Sequence, residues 1–90
     1  MRVMWADSAL DDVEQIVTYI NRFNPMAARR VAQAILDAGD GLARFPARGR
    51  FGSVAGTREL VTVWPYVILY EVEPDAVRIL RVWHGAQDRG

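Results

Sequence analysis

Hydrophobic residues recur through the first half of the chain at the spacing of amphipathic helices. The apolar run at residues 2–6 predicts a strand, and it ends at Asp7-Ser8, two residue types that cap helix starts. The apolar positions after it follow at spacings of four, three, one and three, which places them on one helical face: Ala9, Val13, Ile16, Val17 and Ile20. Acidic residues near the start of this segment suit the positive end of the helix dipole.

A second helix is predicted to begin at Asn24-Pro25, because the residue before proline avoids helical angles whereas proline is favoured in a first helical turn. Its apolar positions are spaced four, three, four and three: Val31, Ile35, Ala38, Leu42 and Phe45. This spacing is typical of helices packed side by side, so an antiparallel helical hairpin is expected. Gly39 and Gly41 each weaken the last turns by about 1 kcal/mol relative to alanine, which predicts an end that bends or frays.

Glycine and proline are dense in residues 45–57, which predicts an ordered loop rather than a helix or strand. A structureless segment of this length is unusual and is often functional. Three runs rich in β-branched and aromatic residues follow, at 58–64, 66–72 and 77–83, with turn residues between them. These runs predict a meander of three antiparallel strands.

Alternation along the last strand divides its side chains between two faces. Arg78, Leu80 and Val82 are predicted to share one face, and the other carries Val77, Ile79, Arg81 and Trp83. The complete order of elements is strand, helix, helix, strand, strand, strand. We therefore expect an α+β fold in which the helical hairpin packs on one face of a mainly antiparallel sheet, with the 45–57 loop at an edge.

The composition favours one globular domain over residues 1–90, with 51% hydrophobic and 24% charged residues. The chain contains no cysteine and one histidine, His84, so thiolate chemistry is excluded and metal catalysis is disfavoured. We expect neither a metal nor a cofactor. No apolar run approaches the roughly 18 residues that cross a bilayer, so no membrane association is expected and the cytosol is the default location.

The formal net charge is zero, from 11 acidic and 11 basic residues, and every basic residue is arginine. A neutral chain has no overall field that attracts nucleic acid or membranes. One local excess exists, because Arg44, Arg48, Arg50 and Arg58 fall within fifteen residues and are opposed by Glu59 alone. Such a group could bind RNA phosphates or an acidic peptide. A solvated rim of arginine-carboxylate pairs is the alternative, and composition favours it slightly.

His84 follows the last predicted strand and is the one side chain of the sequence that titrates near neutral pH. It could act as a general acid or base, but a histidine that bonds a backbone carbonyl at a strand end is the more common alternative. Large aromatic residues pose a similar choice. They could stack nucleic-acid bases, although filling the space between helices and sheet is the favoured interpretation. This aromatic set is Trp5, Trp64, Tyr66, Tyr70 and Trp83.

Several short motifs occur in order along nearly the whole chain. Those in the helical half are Ala9-Leu10-Asp11-Asp12, Ile16, Tyr19-Ile20, Asn24-Pro25 and Ala28. Those in the second half are Leu42, Pro46, Gly49-Arg50, Gly52, Gly56-Thr57-Arg58-Glu59-Leu60, Tyr66, Tyr70 and Ile79-Leu80-Arg81-Val82-Trp83-His84. Each motif is weak alone, but in this order they resemble the toxins of the RelE/ParE superfamily of type II toxin-antitoxin modules. The resemblance implies the fold predicted above and a small antitoxin encoded beside the toxin.

The superfamily divides into two classes, and the matching residues occur in both. RelE-like members are ribosome-dependent endoribonucleases that cut messenger RNA with basic side chains and usually a C-terminal tyrosine or histidine. ParE-like members poison DNA gyrase without known catalysis of their own. If this chain is an RNase, the resemblance assigns His84 as general acid or base and Arg58 and Arg81 as stabilisers of the phosphorane.

The residue content favours gyrase as the target. Cleavage of RNA by its own 2'-hydroxyl needs charge stabilisation and proton transfer, yet the chain has no lysine, no net positive charge and no tyrosine after Tyr70. No residue is therefore firmly assigned as catalytic, and the ribosome with its messenger RNA is the alternative target. A third hypothesis is a degenerate toxin that only binds its antitoxin.

The cognate antitoxin is expected to lay an apolar helix or strand into a groove lined by the two helices and the sheet rim. Arginines there would receive acidic side chains of the antitoxin in charge-assisted pairs. The predicted partner-binding residues are Arg50, Arg58, Arg78 and Arg81.

Overall fold

A computed structural model describes residues 1–85, apart from the side chains of Thr62 and Val63. The last five residues of the expected 1–90 domain lie outside the described residues. In chain order the elements are β1 (Arg2–Trp5), α1 (Asp7–Asn21), α2 (Pro25–Asp40), a 3-10 turn (Gly41–Ala43), β2 (Arg50–Phe51), β3 (Arg58–Val63), β4 (Tyr66–Val72) and β5 (Ala76–His84).

The strands of the described chain form one sheet in the order β1-β5-β4-β3-β2. β1 is parallel to β5, and the other neighbouring strands are antiparallel. The helical hairpin carries the chain from β1 at one edge of the sheet to β2 at the other edge, and the following strands return it to pair with β1. The two helices pack against each other and against the sheet. The expected α+β fold, with a helical hairpin on one face of a mainly antiparallel sheet, is confirmed.

The core lies between the hairpin and that face of the sheet, and Ile16 and Val17 of α1 pack against it. Both layers contribute its buried side chains: Ala9, Val13, Ile35, Leu42, Leu60, Ile68, Tyr70, Val77, Ile79 and Val82. The predicted apolar face of α1 is therefore confirmed from Ala9 to Val17, whereas Ile20 is half-buried and lies outside this cluster. The predicted face of α2 is confirmed as far as Leu42, but the inclusion of Phe45 was wrong, since that side chain is 62% exposed. The helical spacing no longer predicts which side chains face the core at Phe45, because α2 ends at Asp40 and the chain continues as a tighter 3-10 turn.

The two helix starts are built differently. The prediction that Asp7-Ser8 caps α1 was wrong: Ala6 is the N-cap and its side chain makes no capping hydrogen bond. The Ser8 hydroxyl instead donates to the carbonyl of Leu80 at 2.8 Å. At α2 the prediction is confirmed, because Asn24 Oδ1 accepts from the backbone N–H of Ala27 at 3.1 Å.

α2 is continuous through Gly39 and ends at Asp40, and the chain changes to 3-10 geometry at Gly41, the second of the two glycines that were expected to weaken this end. Gly39 is buried where α2 meets β1. A Cβ at this position would overlap the ring of Trp5 and lie 2.8 Å from Cδ1 of Ile79. Trp5 is held in place by a hydrogen bond from its Nε1 to Asp40 Oδ1, at 3.1 Å. Glycine at position 39 thus makes room for the indole.

The 45–57 segment contains β2, so the prediction of a loop without an element was wrong in that respect. β2 has two residues and pairs with β3 at the edge of the sheet, where the segment was expected to lie. The buried hydroxyl of Tyr70 fixes the approach to β2: it donates to Pro46 O and accepts from Gly49 N–H, both at 2.8 Å. A Cβ at Gly49 would stand 2.7 Å from that hydroxyl, so glycine is needed there.

β5 departs from strict alternation. Its pairing with β4 shifts between Leu69, which faces Arg81, and Tyr70, which faces Ile79, and Leu80 is the extra residue. A bulge of this kind displaces the alternation by one position. Val82 therefore lies with Val77 and Ile79 in the core, and its predicted placement on a face with Arg78 and Leu80 was wrong.

Candidate functional site

Arg58 begins β3 and is turned towards the 45–57 segment. Its Nη1 donates to the carbonyl of Gly49 at 2.7 Å and to that of Ala47 at 3.3 Å. The guanidinium also lies 4.3 Å from the ring centroid of Phe51, in cation–π geometry. Arg58 therefore holds the edge of the sheet together, and its donors face protein carbonyls.

Arg50 of β2 faces Glu59 of β3 in the strand register. Its Nη2 lies 3.3 Å from Glu59 Oε1; the Arg50 side chain is 65% exposed, whereas that of Glu59 is 3% exposed. Arg50, Arg78 and Arg81 each form an ion pair, and Arg50 has the most exposed side chain of the three. Its other donors are available for a second acid.

Arg78 and Arg81 of β5 are both engaged by carboxylates. Arg78 Nε lies 3.0 Å from Glu73 Oε2 and 3.9 Å from Glu71 Oε1. The hydrogen bond to Glu73 raises the pKa of Arg78 above its ordinary value. Arg81 forms a two-point contact with Asp12 of α1, from Nε at 2.7 Å and from Nη2 at 3.1 Å. That hydrogen-bonded contact likewise raises the pKa of Arg81.

His84 is the last residue of β5 and pairs with Tyr66 at the start of β4. The two rings meet edge to face, with centroids 5.7 Å apart. Tyr66 also borders a shallow groove of about 360 Å³ that is lined by Gln15, Ile16 and Tyr19 of α1. Burial raises the pKa of the Tyr66 phenol, and the nearby Tyr19 adds to the effect.

The three residues that an RNase would require are spread over the sheet. Arg58 pairs with Tyr70 from one side of β4, and His84 pairs with Tyr66 from the other. Arg58 and His84 are thus separated by four residues along the strand direction and by two strand spacings across the sheet. Their backbones lie roughly 16 Å apart. Arg81 is drawn to α1 and Arg58 to the opposite edge of the sheet. The guanidinium groups of Arg58 and Arg81 are therefore directed to different parts of the structure.

A second groove, of about 760 Å³, opens beside the end of α2. Residues 44–48 line it: Arg44, Phe45, Pro46, Ala47 and Arg48. The Arg44 guanidinium lies 5.8 Å from the Phe45 ring centroid. Within residues 1–85, neither Arg44 nor Arg48 takes part in an ion pair. These two arginines belong to the predicted local charge excess but were not among the predicted partner-binding residues; the absence of any acid between Asp40 and Glu59 was the available signal.

Residues 1–85 hold no cluster of three or more metal-ligating side chains. Neither α1 nor α2 has the length and apolarity needed to cross a membrane.

Comparison with known proteins places this fold and these residues in a family. Residues 3–89 match the family model described as the ParE toxin of the type II toxin-antitoxin system, parDE. The chain belongs to the ParE toxin family. As a ParE-family member it is the toxin of a type II toxin-antitoxin system, and an antitoxin protein is its partner.

Relatives of this ParE-family chain align over almost its whole length. It is 45% identical over 86 residues to Toxin RelE2 of Caulobacter vibrioides, which covers 96% of this chain and 97% of the relative. It is 44% identical over 87 residues to the protein called Putative toxin Y4kP of Sinorhizobium fredii, covering 96% of this chain and 90% of the relative.

A solved structure supports the same assignment. A chain of the chromosomal ParDE system from P. aeruginosa superposes with a TM-score of 0.83 at 25% identity, over 93% of this chain and 95% of that one. Helicobacter pylori HP0894 shares the fold alone, with a TM-score of 0.60 at 16% identity over 97% of each chain.

Proposed function

We propose that this ParE-family toxin inhibits growth by binding DNA gyrase and poisoning it, without bond-making or bond-breaking chemistry of its own. The observation that supports this most is the engagement of Arg58 and Arg81 by internal partners. A hydrogen bond to a charged group contributes about 1.5–3 kcal/mol, so a phosphodiester would have to compete with these bonds before it could be stabilised. The separation of roughly 16 Å between the backbones of Arg58 and His84 adds to the argument.

The zero net charge supports the same proposal. An RNase that works on the ribosome must approach a highly charged RNA surface, and such binding draws most of its affinity from cationic contacts to phosphates. A protein target carries no comparable demand.

The antitoxin is assigned to the groove beside the end of α2. Its apolar floor includes the exposed Phe45, and Arg44 and Arg48 stand beside it with no ion pair in the described chain. An apolar antitoxin side chain would cover Phe45, while acids on the same segment would bind the two arginines. Arg50, which lies on β2, has donors left to bind a further acidic side chain of the antitoxin. Arg58, Arg78 and Arg81 also have internal partners, so an antitoxin acid would share each guanidinium with a carbonyl or carboxylate that is already bound, and their binding role stays a prediction.

A ribosome-dependent endoribonuclease is the second candidate, supported by the contact between Tyr66 and His84. A tyrosine phenol is protonated at neutral pH, and burial raises the pKa of Tyr66 further, so this group could give up a proton but not take one. The His84 imidazole would be the matching base. The name RelE2 of one relative also agrees with this candidate.

The deciding experiment titrates purified toxin into a DNA gyrase supercoiling reaction. We expect inhibition, accumulation of cleaved DNA held by gyrase, and reversal when the antitoxin encoded beside the toxin is added. His84→Ala should inhibit as well as the wild type, because the proposal gives the imidazole no proton to transfer. In a translating extract the RNase candidate predicts codon-positioned cuts and a loss of at least about tenfold in their rate for His84→Ala.

The outcomes separate the hypotheses. Cuts in messenger RNA together with an unaffected gyrase would overturn the proposal in favour of the ribosome. Expression that leaves growth unchanged in cells lacking the antitoxin would contradict both active functions and favour the degenerate toxin.

A further inference from the structure

The turn between the two helices carries exposed apolar and basic side chains on both of its sides. Tyr19 is 61% exposed, Phe23 72% and Met26 65%. Three arginines accompany them at spacings of three and four residues, which are the spacings of neighbours on a helix surface. We call this surface the hairpin tip, and it consists of Tyr19, Arg22, Phe23, Met26, Arg29 and Arg30.

The apolar part of the tip begins with a contact between two aromatic rings. The Tyr19 and Phe23 centroids are 5.4 Å apart in an edge-to-face arrangement. The Arg22 guanidinium lies 6.0 Å from the Phe23 ring centroid. Met26, three residues after Phe23, lies in the first turn of α2. Aromatic residues, methionine and arginine are the types enriched where proteins bind one another.

The charge of the tip is uncompensated. No acidic residue occurs in the sequence between Glu14 and Asp37, whereas three arginines do. In the described structure none of Arg22, Arg29 and Arg30 forms an ion pair. The arginines of the sheet present a contrast, because Arg78 and Arg81 are paired with carboxylates there. Positive charge that is free to meet a partner's acids is therefore present at the tip.

We propose that the hairpin tip is the surface by which the toxin docks on its target, entering an acidic, partly apolar concavity of gyrase. This rests on the proposed function and adds the surface of the toxin that carries it. Shape favours the target over the antitoxin as occupant. A short antitoxin segment is buried best when it lies in a groove, such as the one lined by residues 44–48. Side chains that project from a turn are instead buried when they enter a concave surface of a larger folded partner.

The apolar content favours a protein over nucleic acid. Binding to duplex DNA depends on many cationic contacts to phosphates, and the tip supplies three arginines beside three large apolar side chains. Such a mixture resembles the centre of a protein interface, where a buried aromatic anchor is surrounded by charged contacts.

Two substitutions test the tip, each with a matched control elsewhere. Phe23→Ala removes the aromatic anchor, and Val54→Ala is its control at another exposed apolar position. Arg29→Glu reverses one charge, and Arg2→Glu makes the same change on β1, where Arg2 forms no ion pair in the described chain. A glutamate near the start of α2 suits the helix dipole, so Arg29→Glu should keep the fold. Thermal unfolding of all four variants checks this.

The readout is the toxin concentration that halves gyrase supercoiling. We expect each tip variant to need about tenfold more toxin, as for substitution of an interface hot spot, whereas the controls behave as the wild type. Affinity for the antitoxin is measured in parallel, and all four variants should retain it.

The possible failures are distinguishable. If the wild type inhibits gyrase and the tip variants inhibit equally well, the docking surface is wrong and the proposed function stands. If the wild type leaves gyrase unaffected, the proposed function fails and the inference fails with it. Loss of antitoxin affinity in the tip variants with unchanged inhibition would identify the antitoxin as the occupant instead. Weakened binding to a duplex DNA oligonucleotide without gyrase would identify nucleic acid, again overturning the inference.

Discussion

Asp12 of α1 binds both the side chain of Arg81 and the backbone of the residue after it. Its Oδ2 accepts from Arg81 Nε at 2.7 Å and from the N–H of Val82 at 2.9 Å. β1 pairs with β5 only as far as Ile79, so the free edge of β5 begins there. The Ser8 hydroxyl and the Asp12 carboxylate then satisfy backbone groups that a longer β1 would otherwise have paired. The first turns of α1 thus continue the sheet's hydrogen bonding through side chains.

Asp12→Ala should lower the free energy of unfolding by about 2–3 kcal/mol, because the partly buried N–H of Val82 loses its acceptor together with the ionic contact. Arg81→Ala should cost less, about 0.5–1 kcal/mol, since that side chain is half exposed and Asp12 still accepts from Val82. Urea denaturation of both variants measures the difference. Equal losses would mean that the ionic contact, and not the backbone bond, is the important one.

Tyr70→Phe should cost about 1–3 kcal/mol, because the buried hydroxyl serves both Pro46 and Gly49. The amide hydrogen of Gly49 should also exchange faster with solvent, as the segment before β2 loses its attachment to the core. Tyr19→Phe is the control, since it removes the same atom from an exposed ring. Unchanged exchange at Gly49 would show that Arg58 alone holds the segment.

Gly39→Ala and Gly41→Ala should have opposite effects. At Gly39 a methyl group would overlap the Trp5 ring, so the repacking should cost about 1–3 kcal/mol. At Gly41 nothing lies within 4 Å of a Cβ and φ is −63°. Alanine there should stabilise the protein by about 0.4–1 kcal/mol by restricting the unfolded chain. Melting temperatures of the pair test both signs, and a stable Gly39→Ala variant would show that Trp5 can move aside.

Stability should decline in alkaline solution partly through Tyr66. Its pKa in the folded protein is raised by burial, so the unfolded chain loses this proton first, near the ordinary value of about 10. The stabilisation is complete below that pH and is lost as the pH rises above it. Urea denaturation between pH 8 and 11 should show a shallower decline for Tyr66→Phe than for the wild type. Parallel curves would contradict a raised pKa.

The sequence alone determined the two helices, the first strand and the last three strands in their order, but not the two-residue strand β2. Helix and strand periods depend on which residues can face a core, and that information is local: the spacing of Ala9, Val13 and Val17 specifies a helix face without knowledge of its partner. The start of α2 was predictable because capping is also local: the Asn24 side chain accepts from the backbone N–H of Ala27, three residues later in the sequence. The order of motifs was also sufficient to indicate the toxin family.

Tertiary structure decided the features that depend on distant residues. The bulge at Leu80 moves Val82 into the core. The pairing of β5 with β4 sets this bulge, and the periodicity of one strand carries no information about its pairing partner. Arg81 was predicted to face a partner or an RNA, yet its acid lies 69 positions away on α1. A count of charges along the chain reveals a local excess of arginine. It does not reveal which of these arginines will form ion pairs with acids once the chain has folded. At the hairpin tip, where no acid is near in sequence or in ion-pair contact within residues 1–85, the local count and the folded structure agree.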